Sequence, residues 1–122
     1  MPLVEKVTHI YEPDPLQCGQ TVLAMLTGKS VNDIVTLLSN PRETKLREMF
    51  YVLEHYEISH CAQRIAVREV AELPQICFLS LETPKCWHWS LYFKGKFYDP
   101  EYGVLDDFPP SNNRYYWEII SK

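Results

Sequence analysis

Asp14-Pro15-Leu16-Gln17-Cys18-Gly19-Gln20-Thr21-Val22-Leu23-Ala24-Met25-Leu26, residues 14–26, is the stretch on which the reading of this chain turns. Pro13 and Pro15 exclude helix before it and bias the residues they follow toward extended backbone, so residues 1–17 are expected to be extended and irregular. From about Gln17 or Cys18 to Thr27, the positions Val22, Leu23, Met25 and Leu26 give a broad buried helical face, and Gly28 is the expected stop. A thiol therefore stands where a loop turns into a helix. The first N–H groups of a helix have no internal partner, and the macrodipole adds partial positive charge there. Both favour negative charge on the sulfur, and charged sulfur is the nucleophile.

Outward from this helix the pattern stays helical and then changes. Ser30 reads as an N-cap for residues 31–38, with Asp33 at the capping-box position and Asn40-Pro41 as the stop. Thr44 is the expected cap of a third helix, with Leu46, Met49, Phe50 and Leu53 at helical spacing and an end near Tyr56. A first strand is expected within residues 58–66 and a short helical turn within 67–73, closed by Pro74. Residues 75–81, 87–93, 97–98 and 115–120 read as strands, and Lys94-Gly95-Lys96 as a hairpin signal. Helices first and strands second predict an α+β domain, with N-terminal helices packed on a mostly antiparallel C-terminal sheet.

Two further groups extend the thiol into a constellation. Trp87-His88-Trp89-Ser90 places a histidine at the mouth of a strand, seventy positions after Cys18. Tyr98-Asp99-Pro100 supplies a carboxylate eleven positions later. A cysteine, a histidine and a carboxylate in that order point to covalent chemistry at a carbonyl carbon. His9, His55 and His60 compete for the base, but only His88 has a carboxylate following at short range. If Gly95-Lys96 forms a two-residue turn, Tyr92 faces Asp99 and His88 faces Gly103, which leaves Asp99 several residues along the sheet. Glu101 is then the alternative orienting partner. The adjacent Gly19 lets a substrate backbone approach closely.

Gln-Cys-Gly-Gln at 17–20, followed by Ala24-Met25-Leu26 and Gly28, resembles the nucleophile helix of the double-glycine bacteriocin-processing peptidases and their stand-alone relatives, within the papain-like superfamily. His88 before a strand and Tyr98-Asp99-Pro100 after a hairpin resemble that family's base and orienting carboxylate. The likeness runs from about Asp14 to Gly103. It implies a papain-like fold and a peptidase with Cys18 as nucleophile, His88 as base and Asp99 as orienting group, without metal or cofactor. The hairpin is shorter than the family's usual one. The family also often places a glutamine six residues before the cysteine, where its amide joins the nucleophile's N–H in the oxyanion hole; here that residue is Glu12. The expected donors are therefore the Cys18 N–H and Gln17, with Gln20 as an alternative. Losing one such donor typically lowers the rate by about two to three powers of ten. Two other readings stay open: a glutamine deamidase or acyltransferase, as among bacterial effectors and toxins on related scaffolds, and a binding module that has lost the chemistry.

The bulk composition frames these expectations. At 122 residues, 46 % of them apolar and 23 % charged, the chain reads as one globular domain over 1–122. A formal charge of −4 with scattered cations argues against nucleic acid as a partner. A protein or peptide is the expected substrate, with a second protein as a candidate for completing the site. No window approaches the ~20 apolar residues of a membrane span. Residues 1–6 lack a charged-then-apolar organisation, so the expected location is the cytosol. Cys18, Cys61, Cys77 and Cys86 include no C-x-x-C pair, so neither a zinc knuckle nor a disulfide framework is expected.

Overall fold

The protein, seen here as a computed structural model, is described over residues 4–120. Residues 1–3 and 121–122 of the expected domain, including half of the six-residue N-terminal segment considered above, lie outside the described residues. Three helices come first: α1 (Cys18–Thr27), α2 (Val31–Leu38) and α3 (Leu46–His55). Six strands follow: β1 (Ile65–Ala66), β2 (Ile76–Glu82), β3 (Trp87–Phe93), β4 (Lys96–Asp99), β5 (Gly103–Leu105) and β6 (Arg114–Glu118). They form one sheet in the order β1-β6-β2-β3-β4-β5, with every pair antiparallel. The architecture is α+β, as expected. No single helix among the described residues is long and apolar enough to cross a membrane.

Local chemistry explains the helix boundaries. Ser30 caps α2 through its side chain (Asp33 N to Oγ, 3.0 Å), and Asp33 reaches back to the Ser30 N–H. At α3 the expected cap is displaced by one residue. Lys45 holds the N-cap position and Glu48 accepts from its N–H at 2.9 Å, while Thr44 is buried beneath α1. Residues Cys18 to Leu26 of α1 are buried, because α2, α3 and β3 all pack around this helix. The Gln20 amide donates to the Asn40 and Arg42 carbonyls at 2.8 and 2.6 Å, while its Oε1 is buried without a partner.

The sheet divides the core in two. Phe78, Leu91, Phe93 and Trp117 pack toward the helices with Leu23, Met49 and Leu53. Cys77, Leu79, Leu81, Tyr92 and Phe97 pack on the other face with Val67 and Phe108. Burial on both faces is why β2 reads as an unbroken apolar run rather than an alternating one. The strand expected within 58–66 shrinks to β1 and an isolated His60–Ile119 bridge. The turn expected within 67–73 is a 3₁₀ turn at Val70–Glu72.

The hairpin register differs from the expected one, and the difference decides where the site lies. The two turn residues are Lys94 and Gly95, with φ of 46° and 96°. Two consecutive positive φ values mark the turn whose twist suits a two-residue hairpin, and glycine takes the second position without strain. Tyr92 therefore pairs with Phe97, not Asp99. Continuing that register sets Asp99 beside Ser90, two residues from His88 instead of four.

A candidate thiol site at the start of the first helix

Gln17 is the N-cap of α1, so Cys18 is the first helical residue. This end of the helix abuts β3. Pairing between β3 and β4 stops at Tyr92, and the Trp89 N–H donates instead to Cys18 Sγ at 3.4 Å. The Trp89 indole donates to the Thr44 carbonyl at 2.9 Å, which ties the strand to the loop before α3. Gly19 lies between these anchors. A Cβ there would sit 2.6 Å from Thr44 Cβ and Oγ1 and 3.0 Å from Trp89 Cδ1. What the missing side chain makes room for is thus Thr44 and Trp89 of this chain. Gly19→Ala is expected to destabilise the fold by about 1–3 kcal/mol, read by denaturant unfolding, because a braced neighbour must move.

His88, with Asp99 bonded to it, lies beside the same sulfur. The ring Nε2 lies 2.9 and 3.1 Å from the two carboxylate oxygens. With Nε2 committed to Asp99, Nδ1 is the nitrogen left for Cys18. Both side chains are shielded, His88 at 4 % and Asp99 at 0 % exposure. Asp99 is held from three more directions: Ser90 Oγ donates to it at 2.7 Å, and the Glu101 and Tyr102 N–H groups at 2.8 and 2.9 Å. His9 reaches the Asp99 backbone carbonyl at 2.7 Å from the irregular N-terminal segment. Glu101 does not touch the ring; its carboxylate lies 3.4 Å from Lys85.

Sequence reasoning brought forward Cys18, His88 and Asp99, which converge. Ser90 is not among the expected site residues, although residues two apart on a strand share a face. His9, a competitor for the base in the sequence, bonds the Asp99 backbone instead, a role that an extended leader without periodicity does not announce.

Electrostatics couples the ring and the carboxylate. Burial works against the charged ring, but the Asp99 and Cys18 hydrogen bonds and charges outweigh it, and His88 is raised to about 10. Burial likewise opposes the Asp99 carboxylate, yet the His88 contact, Ser90 and the Tyr102 N–H hold it below its ordinary value. The stability each group contributes follows from the sign of its shift. That of His88 is complete below its unfolded value of about 6.5 and fades as pH rises toward the folded one. That of Asp99 is present above its unfolded value of about 3.9 and is lost as pH falls. The advantage of the native chain over His88→Gln in thermal unfolding is therefore expected to be larger at about pH 5 than at about pH 9. A constant difference would deny the ion pair.

Glu12 stands against the same sulfur and ring. Its N–H donates to the Pro100 carbonyl at 2.9 Å, which fixes the backbone, and its Oε1 is buried without a hydrogen-bond partner. Desolvation is the main cause that raises its carboxyl to about 7; Glu101, Asp99 and Asp14 push the same way against His88. A carboxyl raised toward neutrality can donate as well as accept when it carries its proton. Both Gln20 amide hydrogens are spent on carbonyls, so Gln20 drops out as an oxyanion donor. Gln17 uses one of its two on the Pro41 carbonyl at 3.0 Å.

The other thiols occupy different settings. All four cysteines are unpaired. Cys77 is fully buried, and burial pushes its thiol up, as expected for an inert core residue. Cys86 is exposed and lines, with Cys18, Glu43, Ser80 and Trp87, a cleft of about 320 Å³. A larger groove of about 620 Å³, between residues 4–10 and the second half of α1, contains no thiol or histidine. No family model matches this chain, and no curated protein matches it.

Proposed function

We propose that this chain is a small papain-like thiol hydrolase that cleaves an amide bond through Cys18, His88 and Asp99. The observation that carries the reading is the convergence itself. A sulfur at a helix start lies beside an imidazole whose other nitrogen is bonded to a buried, four-donor carboxylate. The sulfur attacks the carbonyl carbon while His88 Nδ1 holds the proton that the two groups share. The C–N bond then breaks, and the same proton leaves on the amine. Water attacks the resulting thioester, gives a proton to His88 and releases the acid, and the proton returns to sulfur. The Cys18 N–H, unpaired at the first turn, faces the developing oxyanion. Asp99 holds the ring in the productive tautomer.

Two measurements test this. Metal-free protein is treated with iodoacetamide at mildly acidic pH, and the modified residue is mapped. Cys18 is expected to react well ahead of Cys61 and the more exposed Cys86. Equal labelling of the three removes the activated nucleophile and leaves the binding module. Intact mass of treated protein partners then separates the chemistries that share the thioester. Fragments mark hydrolysis, and a gain of about one dalton marks deamidation.

A further inference from the structure

We propose that Glu12, Cys18 and His88 form a three-ligand site for a zinc ion, whose binding takes the thiol out of nucleophilic use. The ligand atoms of these three side chains lie within 4.8 Å of one another. One sulfur, one imidazole nitrogen and one carboxylate oxygen form a mixed donor set that suits zinc and is poor for magnesium or calcium. Zinc–ligand bonds of about 2.0–2.3 Å imply donor–donor edges of about 3.3–3.6 Å around a tetrahedral ion, so the side chains need converge by only about 1 Å. Glu12 can supply that movement. Its backbone is fixed to Pro100, while its buried Oε1 has no hydrogen bond to give up.

The thiol mechanism leaves this oxygen without a task, and a cation gives it one. The surroundings are also those of a metal-bound histidine. His88 spends Nε2 on Asp99, which is itself fixed by Ser90 and two backbone N–H groups, and offers Nδ1 toward the sulfur. Asp14, Asp99 and Glu101 add negative charge around Glu12. The fourth position of the ion would open on the cleft beside Cys86 and Trp87. Binding releases to solvent the proton held between Cys18 Sγ and His88 Nδ1 and the proton of the Glu12 carboxyl, and zinc takes their place on the three ligand atoms, with no change in oxidation state.

This site goes beyond the hydrolase reading and does not need it. The experiment titrates the full, chelator-treated chain with Zn²⁺ against a chromophoric chelator, and with Co²⁺ as a spectroscopic substitute. The expected result is one ion per chain with micromolar or tighter affinity. The cobalt form should show intense tetrahedral bands and a thiolate-to-metal charge-transfer band. Cys18→Ser abolishes the charge-transfer band, Glu12→Gln weakens zinc at least tenfold, and Cys86→Ser changes neither. Absence of binding overturns the proposal. So does an octahedral cobalt spectrum without the thiolate band, or a site that survives Cys18→Ser. Iodoacetamide labelling of the metal-free chain separates this from the hydrolase reading. Selective Cys18 labelling without zinc binding sinks the metal site alone, and zinc binding without selective labelling sinks the thiol chemistry alone.

Discussion

Cys18→Ala removes amide hydrolysis, with turnover falling about 10⁴- to 10⁶-fold, while the chain folds as before. The two halves of this expectation have separate causes. Cys18 is buried but small; its sulfur accepts a weak bond from the Trp89 N–H at 3.4 Å and shares a second with the His88 ring. Alanine keeps the helix start and loses one atom of packing, so unfolding should shift by no more than about 1–2 kcal/mol. Turnover has no such tolerance, since the acyl intermediate needs the sulfur. Cys18→Ser restores an acceptor for the Trp89 N–H and should recover stability without activity, because a hydroxyl is a far weaker nucleophile than a thiol at neutral pH. The check is hydrolysis of a peptide selected with the native protein, followed for both variants beside Cys86→Ser. Full activity in Cys18→Ala places the nucleophile elsewhere. Loss in Cys86→Ser to the same degree moves it to the cleft wall.

Much of this arrangement was legible because its signals are local. The α1 start, the Ser30–Asp33 capping box and the β3 run each announce themselves within a few residues. The third-helix cap was misplaced because Thr44 has the chemistry of a cap but is needed under Gly19, a demand that only the packed molecule makes. The hairpin was misread by one residue because glycine was given the first turn position. In the fold Lys94 accepts a positive φ there and glycine follows it. That single step moves Asp99 two positions along β3, so a carboxylate that looked distant is bonded to the ring. β5 was missed altogether. Three residues at the edge of a sheet, one of them glycine, carry no period to detect. Glu12 illustrates the limit from the other side: its position relative to Cys18 was visible, but its protonation depends on burial between residues distant in sequence.

Two substitutions at Asp99 are expected to part stability from chemistry. Asp99→Ala withdraws the acceptor from His88, Ser90 and the Glu101 and Tyr102 N–H groups at once. Those donors are shielded, and removing one partner of a buried charged pair costs about 3–5 kcal/mol, so this variant should be strongly destabilised and inactive. Asp99→Asn is the informative change. Its carbonyl oxygen can keep the two backbone donors, and the Ser90 hydroxyl can turn to accept from the new amide. The imidazole cannot adapt without loss. Its Nε2 keeps the oxygen at 2.9 Å but meets an N–H in place of the oxygen at 3.1 Å, and it loses the negative charge that holds the ring charged. Turnover should fall by up to about 10⁴-fold, with a stability loss well below that of alanine. A readout that a purely structural role would not move is the titration of His88, followed by its ring resonances. In the native chain it lies near 10, with Asp99 the foremost of the groups that raise it. In Asp99→Asn it should drop well below that, because the neutral amide withdraws both the charge and the acceptor while burial continues to oppose the charged ring. An Asn variant that is stable, inactive and unchanged in that titration would mean that Asp99 supports the turn at Pro100 and leaves the ring to be oriented by something else.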